Sequence, residues 1–222
     1  YTPDWLAGHL IERSGYSGDP NIRFLDPACG SGTFLVEAIH RVIQNIRSRK
    51  KIDWKSVGRL ILNNIVGFDL NPLAVLAART NFLIAFAPFL LFVRPISIPV
   101  YLCDSVLAPT QVSKEGELNF GDVVFSTTKG DFLFPFSIQE KEKLDHFTSL
   151  IETGLKGKQS PGDFSGLLKK RLSLSERDER LLLRIYSRIK QLEEEGENGI
   201  WARYIKNAFA PVYLGRFDYV IG

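Results

Sequence analysis

Apolar positions in the first hundred residues fall alternately into short runs and helical stripes. The clearest stripe is Phe34, Leu35, Ala38, Ile39, Val42, Ile43 and Ile46, spaced three or four apart, which predicts an amphipathic helix from Thr33. An apolar run from Ile22 to Leu25, broken only by Arg23, precedes it and predicts a short buried strand closed by Asp26. Between the two, Pro27 to Gly32 cannot comfortably extend the strand. Gly30 and Gly32 let the backbone turn tightly and remove side chains that would block a ligand. Strand, glycine turn and helix N-terminus together make a cradle. Free N–H groups and the positive end of the helix dipole face whatever sits there.

The alternation continues along the chain. Thr2 as cap, Pro3 in the first helical position and Asp4 at the positive end predict an N-terminal helix. Its Trp5, Leu6, His9 and Leu10 share a face expected to pack on the sheet, and His9 reads as a helix-face histidine. A loop spans Ser14 to Asn21. Val57, Leu60 and Ile61 predict a helix over 55–64, and Ile65 to Phe68 a second strand ended by Asp69. Asn71 caps and Pro72 starts the next helix, with Leu73, Leu76, Ala77, Thr80 and Leu83 expected inward and Arg79 and Asn81 structural. After an apolar connector from Pro88 to Pro99, Val100 to Leu102 predict a third strand with Asp104 and Ser105 at its end. Asp26, Asp69 and Asp104 would then share one edge of a parallel sheet, the edge where ligands bind in open α/β folds.

From Val106 to Arg216 no βαβ unit is legible. Asp122 to Phe125 predict a strand, 127–136 a turn-rich stretch, Ser137 the cap of a helix reaching Ile151, and 154–166 a flexible segment. Glu176 to Glu195 predict a long helix, and Trp201, Ile205 and Phe209 a return toward the sheet. Phe217 to Ile221 predict a last strand. The expected division is therefore 1–105, a cofactor-binding half built of an N-terminal helix and three βα units, then a mainly helical insertion over 106–216 with room for a short hairpin, then the start of a fourth core strand at 217–222.

Composition changes this picture little. The 222 residues suffice for one α/β domain with a sizeable core, and a net charge of +3 does not by itself announce a nucleic-acid binder. Two cysteines, Cys29 and Cys103, make no disulfide framework and read as small buried fillers. No cluster of His, Cys, Asp and Glu has convincing metal spacing. The apolar run Ile84–Val93 contains Pro88 and is too short to span a membrane, and no secretion signal is visible, so a cytoplasmic location follows by default. Three basic groups stand out: Arg47, Arg49, Lys50, Lys51 and Lys55; Lys156 and Lys158; and Lys169, Lys170 and Arg171. Each reads either as solvated surface or as phosphate contact. The sequence opens on Tyr1 and contains no methionine, for which chance and omitted residues are both sufficient reasons.

The glycine turn is not the dinucleotide fingerprint, since the third glycine position is Leu35, and no Gly-Lys-Ser/Thr follows as in a phosphate loop. Asp69 lies 43 residues after Asp26, the helix over 55–64 accounting for the excess over the roughly 20 of a dinucleotide unit. The run F-L-D-P-A-C-G-S-G-T-F-L resembles motif I of S-adenosylmethionine-dependent DNA amino-methyltransferases, specifically the gamma-order adenine-N6 enzymes of restriction–modification systems. Y-T-P-D-W-L-A resembles their motif X, G-F-D-L-N-P motif II, Asp104-Ser105 motif III and F-D-Y-V-I-G the start of motif IV.

The resemblance implies a Rossmann-like S-adenosylmethionine-dependent methyltransferase fold, here with a partial sheet. It implies that the turn formed by Asp26, Pro27, Ala28, Gly30, Gly32, Thr33 and Phe34 receives the methionine part of S-adenosylmethionine, with Tyr1, Thr2 and Pro3 closing over it. Asp69 would accept from the ribose hydroxyls, Leu70 would lie against the adenine, and Asp104 with Ser105 would address its exocyclic amine and ring. In the family, motif IV continues into Asn-Pro-Pro-aromatic, which accepts the amine hydrogens and stacks the flipped base. The sequence stops at Gly222, so no catalytic residue is expected within it. The implied partner is double-stranded DNA, acting through a longer protein, with a specificity or restriction subunit or a fused domain. Cytosine N4 or a protein glutamine as acceptor, and a non-catalytic S-adenosylmethionine-binding module, are the alternatives. No Pro-Cys occurs, which argues against cytosine-C5 chemistry.

Overall fold

The computed structural model describes residues 2–48, 50–104, 109–111, 121–196 and 201–222. Tyr1 and Ser105, two of the expected site residues, and Arg49 of the first basic group lie outside them. The chain divides into two units: Tyr1–Ser105 with Gly215–Gly222, and Val106–Leu214.

The first unit opens with α1 (Asp4–Arg13), preceded by Pro3 in an extended conformation and without a side-chain cap from Thr2. Its buried face is Ala7 and Ile11, while Trp5 and Leu10 are exposed, so the face expected inward points out. The helix packs along α2 (Thr33–Arg47). There the Arg41 guanidinium donates to the Gly8 carbonyl at 3.2 Å. In chain order β1 (Phe24–Asp26) lies between α1 and α2. α2 buries every residue of its predicted stripe, and this face covers the sheet. α3 (Trp54–Asn64) starts at Asp53, whose carboxylate accepts from the Ser56 N–H at 3.0 Å. β2 (Ile65–Asp69) is buried along its length until Asp69.

α4 (Pro72–Ala85) is capped as expected, the Asn71 side chain accepting from the Leu73 and Ala74 N–H groups. Its orientation corrects the sequence reading. Val75, Ala78, Phe82 and Ala85 are buried, whereas Leu73, Leu76 and Leu83 are exposed. Apolar residues surround this helix on nearly all sides, so periodicity alone could not choose the face. Two polar anchors accompany the observed orientation. The Arg79 guanidinium donates twice to the Val100 carbonyl (2.9 and 2.7 Å), and the Asn81 amide donates to the Ser31 carbonyl (2.9 Å). Val100 opens β3 (Val100–Leu102).

The second unit contains an antiparallel sheet of β4 (Thr110–Gln111), β5 (Val123–Thr127) and β6 (Gly130–Phe134) in that order. Half of the stretch expected to be turns is thus a strand, closed onto its neighbour where the Thr127 hydroxyl donates to the Gly130 carbonyl at 2.8 Å. Ser137 lies in a short 3-10 turn and donates to Asp178, so it does not cap α5 (Lys141–Lys156). The segment expected to be flexible holds α6 (Pro161–Arg171), whose Ser160 and Asp163 form a reciprocal capping box. Glycine, serine and proline masked that helix start in the sequence. α7 (Glu176–Glu194), α8 (Trp201–Ala208) and α9 (Ala210–Leu214) complete the unit. Its core is aromatic: Phe164 stacks on Tyr186 at 3.8 Å, and Phe134 meets Phe209 edge-on at 4.5 Å. The nearly buried Asp122 carboxylate accepts from Arg177.

β7 (Tyr219–Val220) returns to the first unit and pairs with β1. Its approach is pinned from both sides of Arg23. The Arg23 N–H donates to the Asp218 carboxylate (2.8 Å), its guanidinium donates to the Arg216 carbonyl (2.6 Å), and the same group lies 4.5 Å over the Phe217 ring. The resulting sheet has the order β3-β2-β1-β7, all parallel. This is a mixed α/β architecture consistent with a Rossmann-like methyltransferase fold. Parallel pairing is what sends the carboxyl ends of all four strands to one edge.

Candidate functional site

Register aligns the strand ends. Asp26 pairs with Gly67, and Asp69 with Leu102, so Asp26, Asp69 and the residues after β3 reach the same edge. Backbone bonds continue the alignment past the strands: the Cys29 N–H donates to the Phe68 carbonyl (2.8 Å), and the Cys103 N–H to that of Asp69 (3.1 Å). Asp104 follows, half-buried.

The glycine turn is built by conformation and by Asp69. Gly30 and Gly32 adopt φ of 52° and 86°, values that L side chains rarely take. The two glycines face different things. A Cβ on Gly32 would stand 3.2 Å from the Ala78 Cα and Cβ of α4, so its bareness serves helix packing. A Cβ on Gly30 would meet none of the described residues within 4 Å, so this glycine faces open space. The Asp69 carboxylate accepts from the Gly30 N–H on one oxygen and the Asn71 N–H on the other, both at 2.8 Å. It therefore stitches the end of β2 to the turn after β1. An ionised carboxylate offers about four lone-pair sites, so two acceptor positions remain for a ligand's hydroxyl groups. Gly32 occupies the N-cap of α2 and has no side chain to cap it, which leaves the first-turn amides as donors.

Asp26 is placed quite differently. Only 1% of it is exposed. One oxygen accepts from the Ala28 N–H at 3.2 Å, and the other has no hydrogen-bond partner among the described residues. Burial pushes its carboxyl up to about 7, the Asp69 charge adds to the rise, and the Ala28 N–H opposes it. Burial, with nearby carboxylates adding, also pushes the thiols of Cys29 and Cys103 up to about 12, so both remain protonated and unreactive at neutral pH.

The other expected residues separate into two kinds. Pro27 and Thr33 are half-buried, and Ala28 is exposed at the rim of the turn. Leu70 is 67% exposed beyond β2, an apolar surface next to Asp69. Phe34 is buried in the core, so only its backbone amide is available. Thr2 and Pro3 are half-buried, just before α1. A cleft of about 370 Å³ is lined by Asp4 at the start of α1, Thr33 at the start of α2, and Val36, Glu37, His40, Asn81 and Ile84. It brings the start of α1 to the helix that follows the glycine turn. Sequence reasoning missed this cleft, since only the packing of three helices brings Asp4, Glu37, His40 and Asn81 together. No group of three or more His, Cys, Asp and Glu that could hold a metal occurs among the described residues. No helix among them is long and apolar enough to cross a membrane.

Residues 4–86 match the model of a family described as RMKL-like, methyltransferase domain. This is the segment that contains the turn, Asp26 and Asp69. The chain carries an S-adenosylmethionine-dependent methyltransferase-like module. An adenine-specific methyltransferase of Streptomyces coelicolor, PglX, is 29% identical over 93 residues, 38% of this chain and 7% of that protein. The ribosomal RNA large subunit methyltransferase K/L of Colwellia psychrerythraea is 33% identical over 76 residues, 34% of this chain and 11% of its own length. A putative type II restriction enzyme and methyltransferase of Methanocaldococcus jannaschii is 37% identical over 70 residues, covering 29% of this chain and 6% of that protein. The matches thus span about a tenth or less of these relatives, and the module is related to them distantly. No solved structure matches the chain significantly.

Proposed function

We propose that this chain is the cofactor-binding part of a DNA methyltransferase that transfers a methyl group from S-adenosylmethionine to the N6 amine of adenine. The observation that carries the reading is the turn itself: Gly30 faces open space while Asp69 holds its amide in place. Such a cradle accommodates a nucleoside with an amino-acid tail. The uncapped first-turn amides of α2 suit the tail's carboxylate, the free acceptor positions of Asp69 suit the ribose hydroxyls, and exposed Leu70 suits a base face. Asp104, at the neighbouring strand end, suits an exocyclic amine. When bound, S-adenosylmethionine supplies a methyl group activated on a sulfonium. The chain's part is to fix its position, which such a transfer needs more than acid–base help.

Two of the relatives are named for adenine-specific methylation and for restriction, which supports DNA adenine as the acceptor. No Asn-Pro-Pro-aromatic run occurs in the 222 residues, and the groups that accept the amine hydrogens are proposed to lie outside them. A partner restriction or specificity domain and a cytoplasmic site of action belong to the same proposal. A second acceptor, ribosomal RNA, is favoured by the K/L relative, which is named for it. Calorimetric titration with S-adenosylmethionine tests the cradle; absence of binding refutes it. Labelled methyl transfer by the full-length protein to duplex DNA, against ribosomal RNA, tests the acceptor.

A further inference from the structure

Most prominent basic residues of the second unit have a structural reason to be where they are. Lys143, Lys169, Arg177, Arg203 and Lys206 each lie within 4.0 Å of a carboxylate, and Lys190 donates to the Gln159 carbonyl. Lys156 and the Lys169–Arg171 group, which stood out in the sequence, occupy the last turns of α5 and α6. There positive charge is favoured by the helix dipole.

One row contains two arginines with no such reason. Arg180, Arg184 and Arg188 recur four apart in the middle of α7. From Arg180 to Leu192 this helix contains no acidic residue; its acids sit in the first turn and beyond Leu192. Arg180 and Arg184 are exposed and have no ion-pair or hydrogen-bond partner among the described residues. Arg188 is half-buried; its guanidinium donates to the Lys129 carbonyl at 3.1 Å, which sets the hairpin turn of β5 and β6 beside the row, and to the Gln191 side-chain oxygen at 3.0 Å, so it anchors the end of the row that Arg180 and Arg184 expose. Like charges four apart on a helix repel, so the row burdens the free protein. The opposite face, Leu182, Ile185, Tyr186, Ile189 and Leu192, is buried.

We propose that Arg180, Arg184 and Arg188 form a ridge that follows the phosphate backbone of double-stranded DNA. This rests on the methyltransferase reading for the identity of the polyanion, and on the ridge for its location. Eight residues of helix extend about 12 Å. One strand of duplex carries a charge about every 3.4 Å of axis, so the row spans roughly three phosphates. Guanidinium groups bind phosphate in a forked geometry and read no base, so the ridge adds affinity without sequence choice.

The test is duplex-DNA binding by the 222-residue chain, measured by fluorescence anisotropy across a salt series. Arg180→Gln with Arg184→Gln should weaken binding several-fold on unrelated sequences alike. It should also make the salt dependence shallower, by about 0.9 in slope for each phosphate that is no longer neutralised. Arg184→Glu should weaken binding further. Lys143→Gln with Arg203→Gln removes the same charge from α5 and α8 and should change little. Thermal melting of each variant confirms that it is folded. Unchanged affinity and slope in the arginine variants, an equal loss in the control pair, no DNA binding by the wild type, or ridge-dependent binding to phosphatidylserine vesicles in place of DNA would each overturn the ridge. S-adenosylmethionine titrated into the same samples separates the two ideas. Cofactor binding without ridge dependence removes only the ridge, whereas ridge-dependent DNA binding without cofactor binding removes the methyltransferase reading and leaves the ridge standing.

Discussion

β1 and β2 end in the same way on paper, each in an aspartate that leads through a proline into a turn and a helix, yet the two carboxylates live in opposite surroundings. Asp69 is half-buried, and both its oxygens accept backbone N–H groups. Asp26, at the end of the neighbouring strand, is buried beneath the turn with one oxygen unpartnered among the described residues. Donors decide the difference. Asp69 accepts two amides at the solvent-facing edge, whereas burial with a single amide makes Asp26 costly to ionise. A strand-end acid is therefore not one kind of residue. The first is open to solvent at the sheet edge, and the second is enclosed by the chain around it.

The largest effect expected from this contrast is a pH dependence. Asp26 has its carboxyl raised to about 7 from an ordinary value of 3.8. The folded state then binds more protons than the unfolded state between those values. Its stabilising contribution is full below about pH 4 and is lost as pH rises through about 7, at up to about 1.4 kcal/mol per pH unit. Urea unfolding across pH 4–8 should show this decline, and Asp26→Asn should flatten it. A wild-type profile already flat in that window would mean that Asp26 is better solvated than its burial indicates.

The two glycines sharpen the contrast next. Gly32→Val forces a branched side chain onto φ 86° and against Ala78, and should cost about 3 kcal/mol of stability, seen as a lower urea midpoint. Gly30→Ala meets no described neighbour and should cost only about 1 kcal/mol for its left-handed conformation, while S-adenosylmethionine binding is lost. Equal stability losses with equal retention of the cofactor would show that neither glycine faces a ligand.

Asp69→Ala ranks third. It strands the Gly30 and Asn71 amides and should lower stability by about 2 kcal/mol, with a comparable loss of cofactor affinity by calorimetry. Intact affinity would remove Asp69 from the site.

The smallest effect concerns α4. Leu76→Gln, on the exposed face, should change stability by less than about 0.5 kcal/mol. Phe82→Ala, on the buried face, serves as its contrast at about 3–5 kcal/mol. Similar costs at both positions would restore the inward orientation that the sequence suggested.

The elements that were legible share a physical cause. α2 carries a stripe with polar residues opposite, so one face alone could be buried, and that face is the one observed. The caps at Asp53 and Asn71 act within three residues, and the second of them is legible in the sequence. α1 and α4 misled for related reasons. In α1 apolar residues lie on more than one side, and Ala7 and Ile11 are buried while Trp5 and Leu10 point out. In α4 apolar residues lie on nearly every side, and the bonds of Arg79 to Val100 and Asn81 to Ser31 accompany the chosen face. Neither bond has a local signal.

The sequence by itself determined the order of strand, turn and helix, the glycines at left-handed positions and the acids at strand ends, because backbone sterics and short-range capping act between near neighbours. Tertiary structure alone decided what those acids became. Parallel pairing set the ends of β1 and β2 side by side, packing over the end of β1 withdrew Asp26 from water, and a bond across 39 residues to the Gly30 amide fixed Asp69. Burial and long-range hydrogen bonding belong to the packed chain, since solvation and donors come from segments distant in sequence.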